Sequence, residues 1–273
     1  MKVVLFCGGQ GLRLPRHSET IPKPMAVVGY RPILWHVMRY YAHHGQSDFL
    51  LCLGYRGDLV KSYFLAYNEA LSNDFVLSGG GRGIQLLSSD IHDWYITFAD
   101  TGPRASIGQR LMAVRHHLRD EEVFCANYAD TLTDAPLGEL LEDFRRKGKI
   151  AAFLSVRPHH SFHAVSYQPD GTVTAISDVK GADLWINGGY FFFRREVFDY
   201  IHKGEDLVKQ PFQRLMAARE LIAYRYEGFW SALDTLKDLQ SLESLHDTGR
   251  PPWAPWASRT AGGGGKWSLP PSM

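Results

Sequence analysis

The sequence predicts an α/β fold: a doubly wound, mostly parallel sheet with a smaller β region after it. Three observations carry that expectation. Residues 2–7, 48–53 and 123–127 are short runs too apolar to alternate, as expected of strands covered on both faces. Between them lie stretches with apolar residues at helical spacing, so strand and helix take turns along the chain. After residue 158 the pattern changes to short strands separated by turn residues such as Pro169-Asp170-Gly171.

In order, residues 2–7 form the first buried strand and empty into a glycine loop. Pro32 stands at a first helical position, and Ile33, Leu34, Val37, Met38 and Tyr41 make one stripe that Gly45 ends. The strand 48–53 follows, then a helix over 57–70. Residues 84–87 and 94–98 read as a hairpin across a polar turn. Residues 107–118 are helical, and 123–127 form a strand ending at Tyr128-Ala129-Asp130. A helix at 137–147 and a strand at 150–156 close the first part. Short strands are expected at 163–167, 172–177 and 187–193, and helices at 195–203, 208–219 and 235–246. From Gly249 on, with PPWAPW and a run of glycines at 262–265, the chain is expected to be extended or mobile. The result is one domain over 1–257, built from a core at 1–157 and a smaller part at 158–257, with a flexible tail at 258–273.

Composition narrows the function. The 273 residues carry 30 basic and 29 acidic side chains, a net charge of +1. No general attraction to nucleic acid or membrane follows, so any anion site must be local. No apolar run approaches the ~20 residues of a membrane span. The opening apolar run is too short for a secretory leader. Cys7, Cys52 and Cys125 each sit in or at the end of an apolar run without a CxxC, which fits buried thiols in a cytoplasmic protein.

The loop Gly8-Gly9-Gln10-Gly11-Leu12-Arg13-Leu14, followed by Lys23-Pro24-Met25, combines close backbone approach with two fixed cations, as a phosphate site requires. It lacks the third glycine of a dinucleotide fingerprint and the Gly-Lys-Ser/Thr of a P-loop. Asp130 follows a buried strand at the sheet's carboxyl edge, where such folds place ligands. It suits Mg²⁺, which takes one or two carboxylates together with phosphate oxygens and water; a turn or cap aspartate is the other reading. Asp134, just before Ala-Pro, reads as an N-cap. Asp234 reads as a helix cap or as a metal ligand behind a packed aromatic loop. Asn187 beside Gly188 and Gly189 could read sugar hydroxyls or mark a bulge. Asp178 and Lys180 end a strand as a solvated pair or a sugar contact. The adjacent histidine pairs 43–44, 116–117 and 159–160 do not share helix faces and read as surface or packing residues. No Gly-x-Ser-x-Gly elbow supports hydrolysis.

Together these residues resemble the sugar-nucleotide nucleotidyltransferases, in the branch of the glucose-1-phosphate cytidylyltransferases. The matching elements are the loop at 8–14, KPM at 23–25, RPILWH at 31–36, GYRG at 54–57, Asp100-Thr101-Gly102, Gly108 with Arg110, Asp130, INGG at 186–189, and Gly228-Phe229-Trp230 with Asp234-Thr235-Leu236. The resemblance implies a nucleotide site made by Phe6, Gly8, Gly9, Gly11, Leu12, Arg13, Lys23 and Arg110. Arg13, Lys23 and Asp130 would be catalytic. Asp178, Lys180, Asn187 and Gly188 would face the sugar, and Asp130 and Asp234 would share Mg²⁺. The chain departs from the family at Leu12, where a threonine is usual, at Ala129 for glycine, at Asp178-Val179-Lys180 for Glu-Lys-Pro, and at Ala105 for serine.

The implied reaction is NTP plus sugar 1-phosphate giving NDP-sugar and pyrophosphate, with CTP and glucose 1-phosphate as first expectation and a homo-oligomer as the working form. GTP, UTP or dTTP with a modified sugar is a second reading. A catalytically weak, sugar-nucleotide-sensing homologue is a third.

Overall fold

The computed structural model describes residues 1–8, 21–158, 163–178 and 183–256. In chain order the elements are β1 (Lys2–Cys7), β2 (Val27–Val28), β3 (Arg31–Pro32), α1 (Ile33–His43), β4 (Asp48–Leu53), α2 (Gly57–Leu65), β5 (Phe75–Ser78), β6 (Gly83–Leu86), β7 (Tyr95–Asp100), α3 (Ile107–Ala113) and β8 (Val123–Tyr128). They continue with β9 (Thr131–Thr133), α4 (Leu137–Lys147), β10 (Ala151–Val156), β11 (His163–Tyr167), β12 (Val173–Asp178), β13 (Ile186–Asn187), β14 (Phe191–Arg194), α5 (Gln210–Ala217), β15 (Leu221–Tyr226), β16 (Trp230–Ala232) and α6 (Leu236–Asp247).

The apolar runs form the middle of one eight-stranded sheet. β1 lies between β4 and β8, parallel to both, and β7 extends the sheet beyond β4 in the same sense. On the other side of β8, β14 runs antiparallel and leads to β10, which pairs in parallel with β15. The sheet is therefore parallel except where β13 and β14 run against their neighbours. Successive residues of β1 serve opposite faces. Val3, Leu5 and Cys7 enter a layer shared with α1 and α4, while Val4 and Phe6 enter one shared with α3 and α5. Burial on both faces is why the alternation expected of a half-solvated strand is missing.

Strand order reverses at β1: the chain goes on to β4 on one side and returns to β8 on the other. The carboxyl ends of β1 and β8, after which Gly8 and Asp130 lie, meet at that switch point, the edge where folds of this kind place ligands.

Several expectations need correction. Residues 94–98 do not pair with 84–87. β7 is a parallel strand of the main sheet, and β6 forms its hairpin with β5 across Gly79-Gly80-Gly81. All three glycines have positive φ, so the reversal sits there rather than in the polar stretch at 88–93. The helix expected over 57–70 stops at Leu65, and Asn68 caps a separate 3-10 turn at Glu69–Leu71. Pro32 is one residue outside α1. The strand expected at 187–193 is broken. β13 and β14 both oppose β10, separated by Gly188, Gly189 and Tyr190. β9, β15 and β16 are further strands that the sequence pattern does not disclose; β9 and β16 are only three residues long. The chain after Gly249 is not loose throughout: Trp253 is fully buried, and its indole N–H points at His36 Nδ1 over 3.4 Å. The tail expected at 258–273 lies outside the described residues, as does the histidine pair at 159–160.

All three cysteines are buried free thiols, and burial pushes Cys52 and Cys125 up to about 12. No helix among the described residues is long and apolar enough to cross a membrane.

Candidate active site

Two short strands bring the distant carboxylates together. β9 follows β8 after Ala129-Asp130, and β16 pairs with it antiparallel, Ala232 opposite Thr131. The ladder runs one step further, with the Leu233 N–H donating to the Asp130 carbonyl at 2.9 Å. Asp130 and Asp234 thus flank one end of the same ladder. The loop before β16 is pinned from below. Asp134 accepts hydrogen bonds from the Tyr226 hydroxyl and the Phe229 N–H, and Thr133 Oγ1 donates to the Phe229 carbonyl at 2.7 Å. Asp134 is therefore not the N-cap that the following Ala-Pro implied. It is the clamp that holds the Gly228-Phe229-Trp230 loop. Nor does Asp234 cap α6: Thr235 does, in a capping box with Asp238. Asp234 is left to face Lys23.

Lys23 opens a one-turn 3-10 segment closed by the Met25 N–H donating to the Pro22 carbonyl at 2.9 Å. Its Nζ stands 2.5 Å from Asp234 Oδ1. Asp130 is half-buried, and its carboxyl is raised from the ordinary 3.8 to about 6. Burial is the main cause. The Lys23 charge opposes it, and the Asp234 charge adds to it. Lys23, Asp130 and Asp234 thus form one electrostatic unit at the carboxyl end of β8. Among the described residues no third His, Cys, Asp or Glu joins the carboxylates. Two neighbouring carboxylates are a hard-oxygen donor set that matches a divalent cation whose remaining ligands are phosphate and water.

Arg110 lies deeper than a ligand contact would require. Its guanidinium is almost fully buried and donates to the Leu53 carbonyl at 3.0 Å and to Thr101 Oγ1 at 2.7 Å. It packs directly beneath Gly8. A Cβ added to Gly8 would stand 2.0 Å from Arg110 Cζ, and one on Gly54 would stand 2.7 Å from Nη2. Gly8 and Gly54 are therefore glycines because a buried guanidinium passes against them. Gly54 was anticipated only as part of a motif, and close packing leaves no signal in a single sequence. Among the described residues Arg110 Nε has no hydrogen-bond partner.

Phe6 does not offer its ring to a ligand. The side chain is buried in the core 6.5 Å from the Tyr128 ring, and its backbone lies between paired strands. Gly9, Gly11, Leu12 and Arg13 lie outside the described residues.

On the neighbouring edge, Asn187 closes its own turn, its Oδ1 accepting from the Gly189 N–H at 2.9 Å. Its Nδ2 faces the Tyr128 hydroxyl at 3.5 Å. Tyr128 precedes Asp130 by two residues, so Asn187 shares the edge that carries the carboxylates. Gly188 is locked by packing: the Trp230 indole donates to its carbonyl at 2.8 Å, and its N–H donates to Leu154. The turn is stitched to β8 by Asn127, whose Oδ1 accepts from the Tyr190 N–H at 2.9 Å and holds Tyr190 at φ 50°. Asp178 ends the exposed β11–β12 hairpin opposite His163. Lys180 lies outside the described residues. Sequence reasoning missed Tyr128, Asn127 and the β9–β16 ladder, since the first two act across 59 and 63 positions and the ladder pairs Trp230 with Thr133.

The profile of the nucleotidyl transferase family matches residues 2–247. The glucose-1-phosphate cytidylyltransferase of Salmonella typhi is 34% identical over 257 residues, covering 94% of this chain and all of that protein. Its counterpart from Salmonella typhimurium is 33% identical over the same length. The crystal structure of HddC from Yersinia pseudotuberculosis shares the fold with a TM-score of 0.62 at 17% identity, over 89% of this chain and 98% of that one. A match to that profile from the first strand to the last helix, together with relatives a third identical along their whole length, places this chain in the nucleotidyl transferase family.

Proposed function

We propose that the protein transfers CMP from CTP to a sugar 1-phosphate, glucose 1-phosphate first among them, releasing pyrophosphate and forming a CDP-sugar with Mg²⁺ as cofactor. The observation that carries the reading is the convergence of Lys23, Asp130 and Asp234 at the switch point. The likeness to glucose-1-phosphate cytidylyltransferases supports the choice of substrates.

The chemistry follows from charge. The second pKa of a phosphate monoester is about 6, so the attacking oxygen is already an anion at neutral pH and no general base is required. That oxygen forms a bond to the α-phosphorus while the α–β bridging bond breaks, and the electron pair leaves with pyrophosphate. The obstacle is the approach of two polyanions. Asp130 and Asp234 would hold the Mg²⁺, which when bound supplies charge neutralisation and alignment of the α-phosphate. Lys23 places a cation on the same spot, and Arg13 on the loop is assigned to the leaving pyrophosphate. Asn187, braced by its own turn, would face the sugar hydroxyls.

Pyrophosphate release measured over a panel of nucleoside triphosphates and sugar 1-phosphates tests the reading. Turnover confined to CTP with glucose 1-phosphate is expected; turnover with another pair reassigns the substrates, and none anywhere removes the activity.

The working form we propose is a homo-oligomer. The β5–β6 hairpin projects with Val76, Leu77 and Ile84 exposed by 47%, 59% and 59%, and a bare two-stranded ribbon is marginal alone in water. Light scattering on a Leu77→Lys/Ile84→Lys variant should show a smaller particle than the parent.

A further inference from the structure

At the other end of β8 from Asp130 lies a recess of about 500 Å³ lined by Met112, Arg115, His116, Arg119 and Arg195. One wall is the 3-10 turn Arg115–Leu118, which continues α3. The other is the 3-10 turn Arg195–Tyr200 that follows β14. β14 runs antiparallel to β8 with Arg194 opposite Val123, so both walls stand at the amino end of β8. Asp130 follows the carboxyl end. At ~3.3 Å per residue, the six-residue strand separates the two places by about 20 Å.

The recess is basic in a chain whose net charge is only +1. Arg115 stacks 5.3 Å over the Phe198 ring and lies 3.8 Å from Asp199, and Arg195 donates to the Arg119 carbonyl at 2.6 Å. The Arg119 guanidinium forms no ion pair among the described residues. Three guanidinium groups and an imidazole therefore line one small volume, with Asp199 beside Arg115 and Glu122 paired to Arg194. Guanidinium forks match the oxygens of phosphate, and several converging on one space select a ligand with more than one phosphate charge. The volume suits a small metabolite, and Met112 supplies an apolar contact.

We propose that this recess binds a small di- or polyphosphate, free or esterified, and that its occupancy bears on the phosphate loop at the opposite edge. The link is α3. Its C-terminal continuation carries Arg115, His116 and Arg119, and one turn earlier Arg110 lies against Gly8. A ligand that pulls on the three arginines acts on the helix that braces the start of that loop, which is the physical element a coupling between two sites needs. Binding here stands independently of the nucleotidyl-transfer reading, because it is measured without turnover.

The test is calorimetric titration with inorganic tripolyphosphate in EDTA. The parent should show two classes of site. Lys23→Ala should weaken one and spare the other. Arg119→Glu/Arg195→Glu should weaken the second tenfold or more, with kcat unchanged. Should that double variant fail to fold, Arg119→Gln, whose side chain breaks no ion pair, should weaken the same class severalfold. Pyrophosphate and UDP-glucose as further probes separate a free from an esterified ligand. Hydrogen exchange of residues 107–119 should slow at least twofold on adding tripolyphosphate to Lys23→Ala. Identical titrations for the parent and the Arg119 variants overturn the site. Unchanged exchange overturns the coupling. A change of particle size in the double variant, with binding retained, reassigns the arginines to a subunit contact.

Discussion

Lys23 Nζ lies 2.5 Å from Asp234 Oδ1, joining residues 211 positions apart in the chain. Both side chains are partly exposed, at 27% and 50%, so the pair adds little to folding. Its meaning is electrostatic: the ammonium stands beside two carboxylates, where the proposed reaction would bring a triphosphate. Lys23→Ala should lower kcat by ~10²-fold, as removal of other preorganised charges does, with the melting temperature almost unchanged. Lys23→Arg should not restore full activity, because a planar fork cannot replace a compact ammonium at that distance. Retained turnover in Lys23→Ala would falsify the assignment.

Asp130 makes a second, opposite-signed prediction. Its folded pKa is about 6 against 3.8 for the free group, so the native state holds a proton more tightly than the unfolded chain does. Stability from this group is present below pH 3.8 and falls as pH rises towards 6. At neutral pH the ionised carboxylate costs on the order of 1–3 kcal/mol. Asp130→Asn should therefore raise the melting temperature in EDTA at pH 7.5, while lowering kcat by ~10²-fold or more. The gain should shrink below pH 4 and when Mg²⁺ is added to the parent. A variant that melts lower than the parent in EDTA at pH 7.5 counts against the burial argument.

What the sequence discloses of this site divides by range. The buried strand before Asp130 is local, so its carboxyl-edge position can be read from neighbouring residues. Asp234 cannot: its immediate context is that of a cap, and only the β9–β16 ladder carries it to Lys23. Asp134 shows the same limit in reverse. A residue before Ala-Pro has the look of a cap, yet its oxygen is taken by Tyr226 and Phe229, more than ninety positions away. The β7 error has a different source. Two apolar runs separated by polar residues satisfy a hairpin pattern, and nothing local reveals that β4 offers a free parallel edge. Only the family resemblance implies a nucleotide contact for Arg110. Its burial beneath Gly8 depends on two glycines from other segments.

His36 gives a pH test remote from the site. The ring is buried, its Nε2 lies 3.0 Å from the Val28 carbonyl, and burial lowers its pKa from 6.5 to about 4. The unfolded chain binds a proton between pH 4 and 6.5 that the native state refuses. Stability from this residue is therefore complete above pH 6.5 and is lost as pH falls towards 4, by about 3 kcal/mol at most. Urea unfolding of the parent at pH 7.5 and pH 5 should show that loss, and His36→Gln should flatten the slope over the same interval. An equal slope in parent and variant would show that other groups set the acid limit.

Gly8 and Arg110 supply the last prediction. A methyl group on Gly8 would stand 2.0 Å from the Arg110 guanidinium carbon, inside any permitted contact, and the guanidinium is held in place by Leu53 and Thr101. Gly8→Ala must displace the loop, the arginine or both. The expected cost is ~1–3 kcal/mol, the usual range for overpacking a filled interior. The start of the phosphate loop moves with it, so kcat/KM for the nucleotide should fall at least tenfold. Arg110→Ala opens space beneath the methyl group, so the double variant Gly8→Ala/Arg110→Ala should be less destabilised than the sum of the two single changes. Strictly additive losses in that cycle would mean that the two residues do not touch in solution.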